Sequence, residues 1–179
     1  MSVASQVNSD SLRSPKLTIV NADAFVWLNE NKEFFDFVVV DFPDPTNYAL
    51  GKLYTTAFYK ALRAHLSENG AAVVQATSPM FARRSYWCIN NTIESAGFQT
   101  APYHVYVPSF GEWGFILASN RPYTAPSTFD ATLRFITPET APALFQFSRD
   151  MSRIDADVNR LNNQILVRYY ESEWQQVSQ

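Results

Sequence analysis

Runs of apolar residues, broken by short polar or proline-bearing stretches, divide the chain into a repeating order of elements. After a Ser- and Asn-rich start, "KLTIVNADAF" reads as a short β-branched strand ending at Asn21 or Ala22. Phe25, Trp27 and Leu28 in "AFVWLNENKEF" fall on a helical stripe. "FDFVVVDF" is a continuous apolar run, the pattern of a strand covered on both faces. Phe58, Leu62 and Leu66 then recur at four-residue spacing and predict a helix from Tyr54 to Leu66, closed by the turn glycine of "SENG". "AAVVQATS" reads as another buried strand, and residues 80–96 as an amphipathic helix stopped by Gly97. "TAPYHVYVP" and "WGFILASN" read as two strands joined by the hairpin-like loop "SFGE".

Strands alternating with helices and ending in a strand pair predict an α/β fold with a mostly parallel sheet. The lead-in at 1–14 is expected to be flexible. Residues 15–120 hold the sheet. Residues 121–179 form a C-terminal extension, partly helical around Asp155 to Asn162, that packs on the domain or on a second subunit. In such sheets ligands bind beyond the carboxyl ends of the strands. Asp23, Asp41 and Gln75 each end a predicted strand, so three strands deliver a polar group to one rim.

Composition narrows the classes. A chain of 179 residues with 46% apolar content has enough material for one core. The net charge of −3 and the lack of any Lys/Arg cluster disfavour nucleic-acid binding and leave a neutral or cationic small ligand as the better partner. Cys88 is the only cysteine, which excludes an internal disulfide, and it reads as a buried small residue in a helix. Two histidines argue against a zinc site. No apolar run is long enough to span a membrane, and residues 1–14 lack the apolar centre of a signal peptide, so the expected compartment is the cytoplasm.

The rim carries candidate chemistry. Asp41 ends an apolar run, and Asp44 follows in a turn held by Pro43 and Pro45. Two carboxylates this close repel and so suit a ligand bringing positive charge; an amine is such a ligand, one acid holding an ammonium and the other accepting a proton. The same pair also reads as plain turn caps. Asp23, between two alanines, reads either as an acceptor for a nucleobase amine or as the N-cap of the next helix. Gln75 points to the crevice or into a local backbone bond, and Glu112 lies in the loop between the last two strands. The rings of Tyr103, Tyr106, Phe110, Trp113 and Phe115 read as hairpin packing or as a wall for a methylene chain.

"NADAF", "FDFVVVDFPDP", "KLYTTAFYKALRAHLSENGAAVVQATSP" and "YVPSFGEWGFILAS", in this order and spacing, resemble the spermidine synthase family of polyamine aminopropyltransferases over about residues 15–120. The tail "LRFITPE…VNRLNNQILVRYYE" is similar to one bacterial branch whose longer members carry a membrane-embedded region. The resemblance implies a Rossmann-like, class I methyltransferase-type fold. It also implies aminopropyl transfer from decarboxylated S-adenosylmethionine to putrescine, with no metal and no other cofactor. By the same resemblance, Asp41 deprotonates the attacking amine, Asp44 holds the cationic substrates, Asp23 contacts the adenine amino group with Ala24 in place of the usual glycine, and Gln75 lies near the diamine.

Three departures stand beside it. "DPTNYALG" replaces the usual run after the acid pair. Phe110 stands where the family has a tyrosine, with Glu112 expected to compensate by binding the distal ammonium. No glycine-rich G-x-G-x-x-G-like loop is present, so the chain is expected to be a truncated form lacking N-terminal strands and to gain partners by forming a homodimer. Expected partners are thus a small polyamine and a second copy, with no nucleic acid and no membrane contact from this chain. The alternatives are an S-adenosylmethionine-dependent methyltransferase and a non-catalytic remnant or interaction module of the same fold.

Overall fold

The computed structural model describes residues 11–177. Its strands are β1 (Phe35–Val40), β2 (Leu66–Gln75), β3 (Gln99–Val107) and β4 (Gly111–Ser119). They form one sheet in the order β1-β2-β4-β3. β1 runs parallel to β2, while β2–β4 and β3–β4 are antiparallel, so the sheet is mixed and ends in a hairpin. The helices are α1 (Ala24–Glu30), α2 (Tyr48–Gly51), α3 (Thr56–Ala64), α4 (Arg83–Ser95) and α5 (Ile165–Val177). Among the described residues, no helix is long and apolar enough to cross a membrane.

The period of two along β2 sets the core. Ala72 and Val74 pair in register with Ala118 and Ile116 of β4, and all four are buried under helices α3 and α4. α3 begins where Thr55 accepts from the Phe58 amide, and it buries Phe58, Tyr59 and Leu62 on one stripe. α4 adds Tyr86, Ile89 and Ile93, with Cys88 buried as its composition suggested. α4 lies so close to the sheet that a Cβ on Gly114 would fall 2.3 Å from the Tyr86 ring. Gly97, at φ +98°, then turns the chain out of α4 in the left-handed region that suits glycine.

Several elements depart from the sequence pattern, each for a local reason. Residues 16–20 form no strand: Leu17, Ile19 and Val20 are exposed, and no strand lies beside them among the described residues to take their backbone bonds. β1 is covered on one face only. Val38 and Val40 pack on the core, whereas Phe37 and Val39 are 59% and 65% exposed on the other face, and among the described residues the outer edge of β1 is unpaired. The helix after Tyr54 stops at Ala64, because His65 bonds the carbonyls of Ala61 and Asn31 and turns the chain directly into β2. "SENG" is therefore an irregular part of β2, where the pairing jumps from Phe35↔Leu66 to Phe37↔Ala71.

The C-terminal segment packs on the sheet domain itself. Phe147 sits against Tyr86, Trp87 and His104, and Trp87 Nε1 donates to the Met151 carbonyl at 3.0 Å. Residues 154–160 are extended, not helical, since their backbone groups bond sideways. Asn91 donates to the Ala156 carbonyl, the Asn159 amide donates to Thr92 Oγ1, and the Asn159 carbonyl accepts from Thr56. The helix comes later, as α5, with Leu166 and Val167 buried. Glu173 of α5 caps α4 by accepting from the amides of Arg84 (2.6 Å) and Ser85 (3.0 Å).

Candidate active site

Parallel pairing brings two polar groups together. Val40↔Val74 is the last register pair of β1 and β2, so Asp41, one residue past β1, comes beside Gln75, the last residue of β2. Both line a cavity of about 140 Å³ floored by Val73 and by the stacked rings of Tyr103 and Phe115, whose centroids lie 5.4 Å apart. Asp41 is exposed and Gln75 half-buried.

The turn beyond Asp41 is pinned from inside. Tyr54 Oη donates to the carbonyls of Phe42 (3.2 Å) and Pro43 (3.0 Å). Burial, and then the negative charges of Asp44 and Asp41, push the Tyr54 hydroxyl far up, so it stays a donor. Asp44 is half-buried, and its Oδ2 accepts from Tyr170 Oη of α5 at 2.8 Å. Burial raises the Asp44 pKa above the ordinary carboxylate value, and the Tyr170 bond opposes this without cancelling it. Tyr170 is itself pushed up by burial and by its bond to Asp44.

A second cleft lies on the other side of this turn. It holds about 360 Å³ and is lined by Asp23, Ala24, Phe42, Leu50, Lys52 and Leu53. Asp23 does cap α1, with Oδ1 accepting from the amides of Phe25 (2.9 Å) and Val26 (3.3 Å), while Oδ2 pairs with Lys52 Nζ at 2.7 Å. The Lys52 bond, and then the Val26 amide, hold its pKa below the ordinary value. Phe42 walls this cleft while its neighbour Asp41 lines the other, so the acid turn divides the two.

The seven residues singled out from sequence thus separate into groups. Asp41 and Gln75 meet, Asp44 stands three residues on in the same turn, and Asp23 with Ala24 borders the second cleft. Glu112 is drawn elsewhere. It shares a face with Gly114 and Ile116, opposite the Gln75–Phe115 face, and its Oε2 lies 2.7 Å from His104 Nδ1. Phe110 is exposed at the hairpin tip against Trp113 and does not line the cavity. Sequence reasoning missed Lys52, Tyr54 and Tyr170. Lys52 and Tyr54 follow the acid turn closely enough to have been weighed, but Tyr170 lies 126 residues from Asp44 and no spacing announces it. Among the described residues, no group of three His, Cys, Asp or Glu side chains is placed to hold a metal ion.

Residues 3–130 match the sequence family described as the spermine/spermidine synthase domain. A polyamine aminopropyltransferase of Leptospira interrogans is 50% identical over 175 residues, covering 98% of this chain and 35% of that protein. Polyamine aminopropyltransferase 2 of Ralstonia nicotianae is 48% identical over 170 residues, covering 94% of this chain and 33% of that protein. Among solved structures, spermidine synthase in complex with the transition state analogue AdoDATO superposes with a TM-score of 0.70 at 25% identity, over 82% of this chain and 53% of that one. Spermidine synthase from Thermotoga maritima gives 0.69 at 24% identity, over 82% and 52%. The chain therefore spans about a third of the length of the curated relatives it matches. The open α/β sheet has the fold of these synthases.

Proposed function

Because the chain belongs to the spermine/spermidine synthase family, we propose that it serves aminopropyl transfer from decarboxylated S-adenosylmethionine to putrescine, giving spermidine and methylthioadenosine. The observation that carries this reading is the acid turn standing between two cavities, with Asp41 beside Gln75 on one side and Asp23 on the other. The apolar walls of Phe42, Leu50 and Leu53 suit a flat purine, and Asp23 offers its exocyclic amine an acceptor. The smaller cavity suits a slender amine, with Gln75 and the two aromatic rings along it.

In the reaction, the amine nitrogen attacks the methylene carbon next to the sulfonium. A carbon–nitrogen bond forms, the carbon–sulfur bond breaks, and its electron pair stays on sulfur in the departing thioether. The proton lost by the new ammonium goes to the Asp41 carboxylate. Asp44 holds positive charge close by, and alignment of the two substrates supplies much of the acceleration, since the sulfonium is already a good leaving group. No step calls for a metal.

Two measurements test this. Methylthioadenosine binding by calorimetry should weaken strongly in Asp23→Ala, and turnover should fall by about 10²–10⁴ in Asp41→Asn with nucleotide binding retained. Preference for S-adenosylmethionine over its decarboxylated form would sink the reading in favour of methyl transfer.

Homodimerisation belongs to the same reading. The unpaired β1 edge, with Phe37 and Val39 exposed, is the kind of edge that pairs with another strand. Sedimentation at micromolar concentration decides it: a single monomeric species removes the dimer.

A further inference from the structure

Asp44 owes its one side-chain partner to the far end of the chain. Tyr170 Oη donates to Oδ2 at 2.8 Å across 126 residues of sequence. The other oxygen, Oδ1, takes no hydrogen bond among the described residues, which leaves it available to a ligand beside the acid turn. Tyr54 does not compete for the carboxylate, since its hydroxyl is committed to the carbonyls of Phe42 and Pro43.

The position of Tyr170 is fixed from several sides. Leu166 and Val167 are buried one turn earlier, and the Leu166 amide donates to Asn159 Oδ1 at 3.3 Å. One turn later Glu173 caps α4, with Ser85 Oγ donating to it at 2.7 Å besides the two amides. The ring of Tyr170 packs on Trp174 (5.7 Å), which packs on Phe81 (6.3 Å), and Phe81 lies 3.7 Å from where a Cβ of Gly111 would be. α5 therefore walls the rim from the acid turn to the hairpin. A hydroxyl held this firmly needs no further ordering to make its bond.

We propose that Tyr170 is a positioning residue of the amine site, fixing Asp44 through Oδ2 so that Oδ1 meets the cationic substrate, and that α5 thereby completes the site. The inference rests on the reading above. Tyr170 lies outside residues 3–130, the part that matches the family's domain model. Its electrostatics are consistent: desolvation disfavours charge on Asp44, and the Tyr170 bond is the interaction that favours it. Tyr54, an uncharged donor that feels the charge of both Asp44 and Asp41, stands beside them in the same turn.

The test uses the full chain and compares Tyr170→Phe with Tyr169→Phe. The second variant removes the neighbouring hydroxyl, which donates to Asp157 and leaves Asp44 alone. Calorimetry with putrescine and with methylthioadenosine is combined with a ¹³C-carboxyl titration of Asp44. Tyr170→Phe should weaken putrescine binding about tenfold, the worth of one charge-assisted hydrogen bond, leave methylthioadenosine binding unchanged and move the Asp44 midpoint upward. Tyr169→Phe should move none of the three. If Tyr170→Phe leaves the putrescine affinity and the Asp44 midpoint where they were, the role assigned to Tyr170 is overturned while the proposed function stands. Equal weakening of both ligands in both variants, with equal loss of Tm, reduces α5 to a structural brace and also overturns it. Failure of the unsubstituted chain to bind either ligand overturns the function, and this inference with it.

Discussion

The side-chain amide of Asn159 donates to the backbone carbonyl of Tyr54 at 3.0 Å, tying the extended C-terminal segment to the turn that pins the acid pair. The same amide reaches the Gly51 carbonyl at 3.2 Å, and Asn159 Oδ1 accepts from Leu166. Asn159 is fully buried, so each bond lost leaves a polar group with no water to replace it. Asn159→Ala should cost about 3 kcal/mol, lowering Tm by roughly 6–12 °C in a chain of this size. Differential scanning calorimetry checks it; a drop of a degree or less would mean that the contacts around Asn159 carry little of the fold.

Asp44 is expected to be a residue that function keeps against stability. Its folded pKa lies above the ordinary value because of burial, so ionising it costs the folded state as pH rises through that pKa. Asp44→Asn escapes this cost and can still accept from Tyr170. Its Tm at pH 7 should exceed that of the unsubstituted chain by a few degrees, as ~1 kcal/mol does in this size range. The gap should shrink as pH falls through the folded pKa and the acid becomes protonated as well. Binding of putrescine should fall in the same variant. An Asn variant less stable at pH 7 would show that the carboxylate is better compensated than its burial implies.

Cys88 should be inert in the folded chain. Burial pushes its thiol up to about 12, and it lies inside α4 with no exposed surface. Ellman's reagent should find no thiol at pH 8 without denaturant and one per chain in guanidinium. Rapid labelling under native conditions would mean that α4 opens far more often than its packing suggests.

Gly114 has no room for a methyl group. A Cβ would lie 2.3 Å from the Tyr86 ring and 2.7 Å from the Thr77 carbonyl, and Tyr86 is held by its hydroxyl donating to the carbonyls of Phe115 and Tyr103. Gly114→Ala should cost about 3 kcal/mol. Combining it with Tyr86→Ala, which frees the space, should cost less than the sum of the two single changes. Strict additivity in urea denaturation would place the strain somewhere other than this contact.

What the sequence announced and what it hid follow from the range of the interactions. Val38, Val40, Ala72 and Val74 form apolar runs that need no distant information to be read as strands, and the acids at their ends fall on the rim by strand geometry alone. Residues 17–20 carry the same β-branched pattern, but a strand exists only with a neighbour, and pattern does not report neighbours. Residues 155–162 look helical by composition, yet Asn91, Thr92 and Thr56 take up the backbone groups a helix would use. The resemblance points Glu112 at the amine in place of the missing tyrosine, and the partner that draws it away, His104, sits on the paired strand β3. The Tyr170–Asp44 bond joins the two ends of the fold, where no periodicity reaches.

The last helix also makes the site depend on the far end of the chain. The family's domain model ends at residue 130, yet curated relatives align through the last helix, which supplies the hydroxyl on Asp44 and the Trp174 ring beside it. Substrate choice should then be sought in the final helix as well as in the sheet, since the wall over the acid turn is built from both.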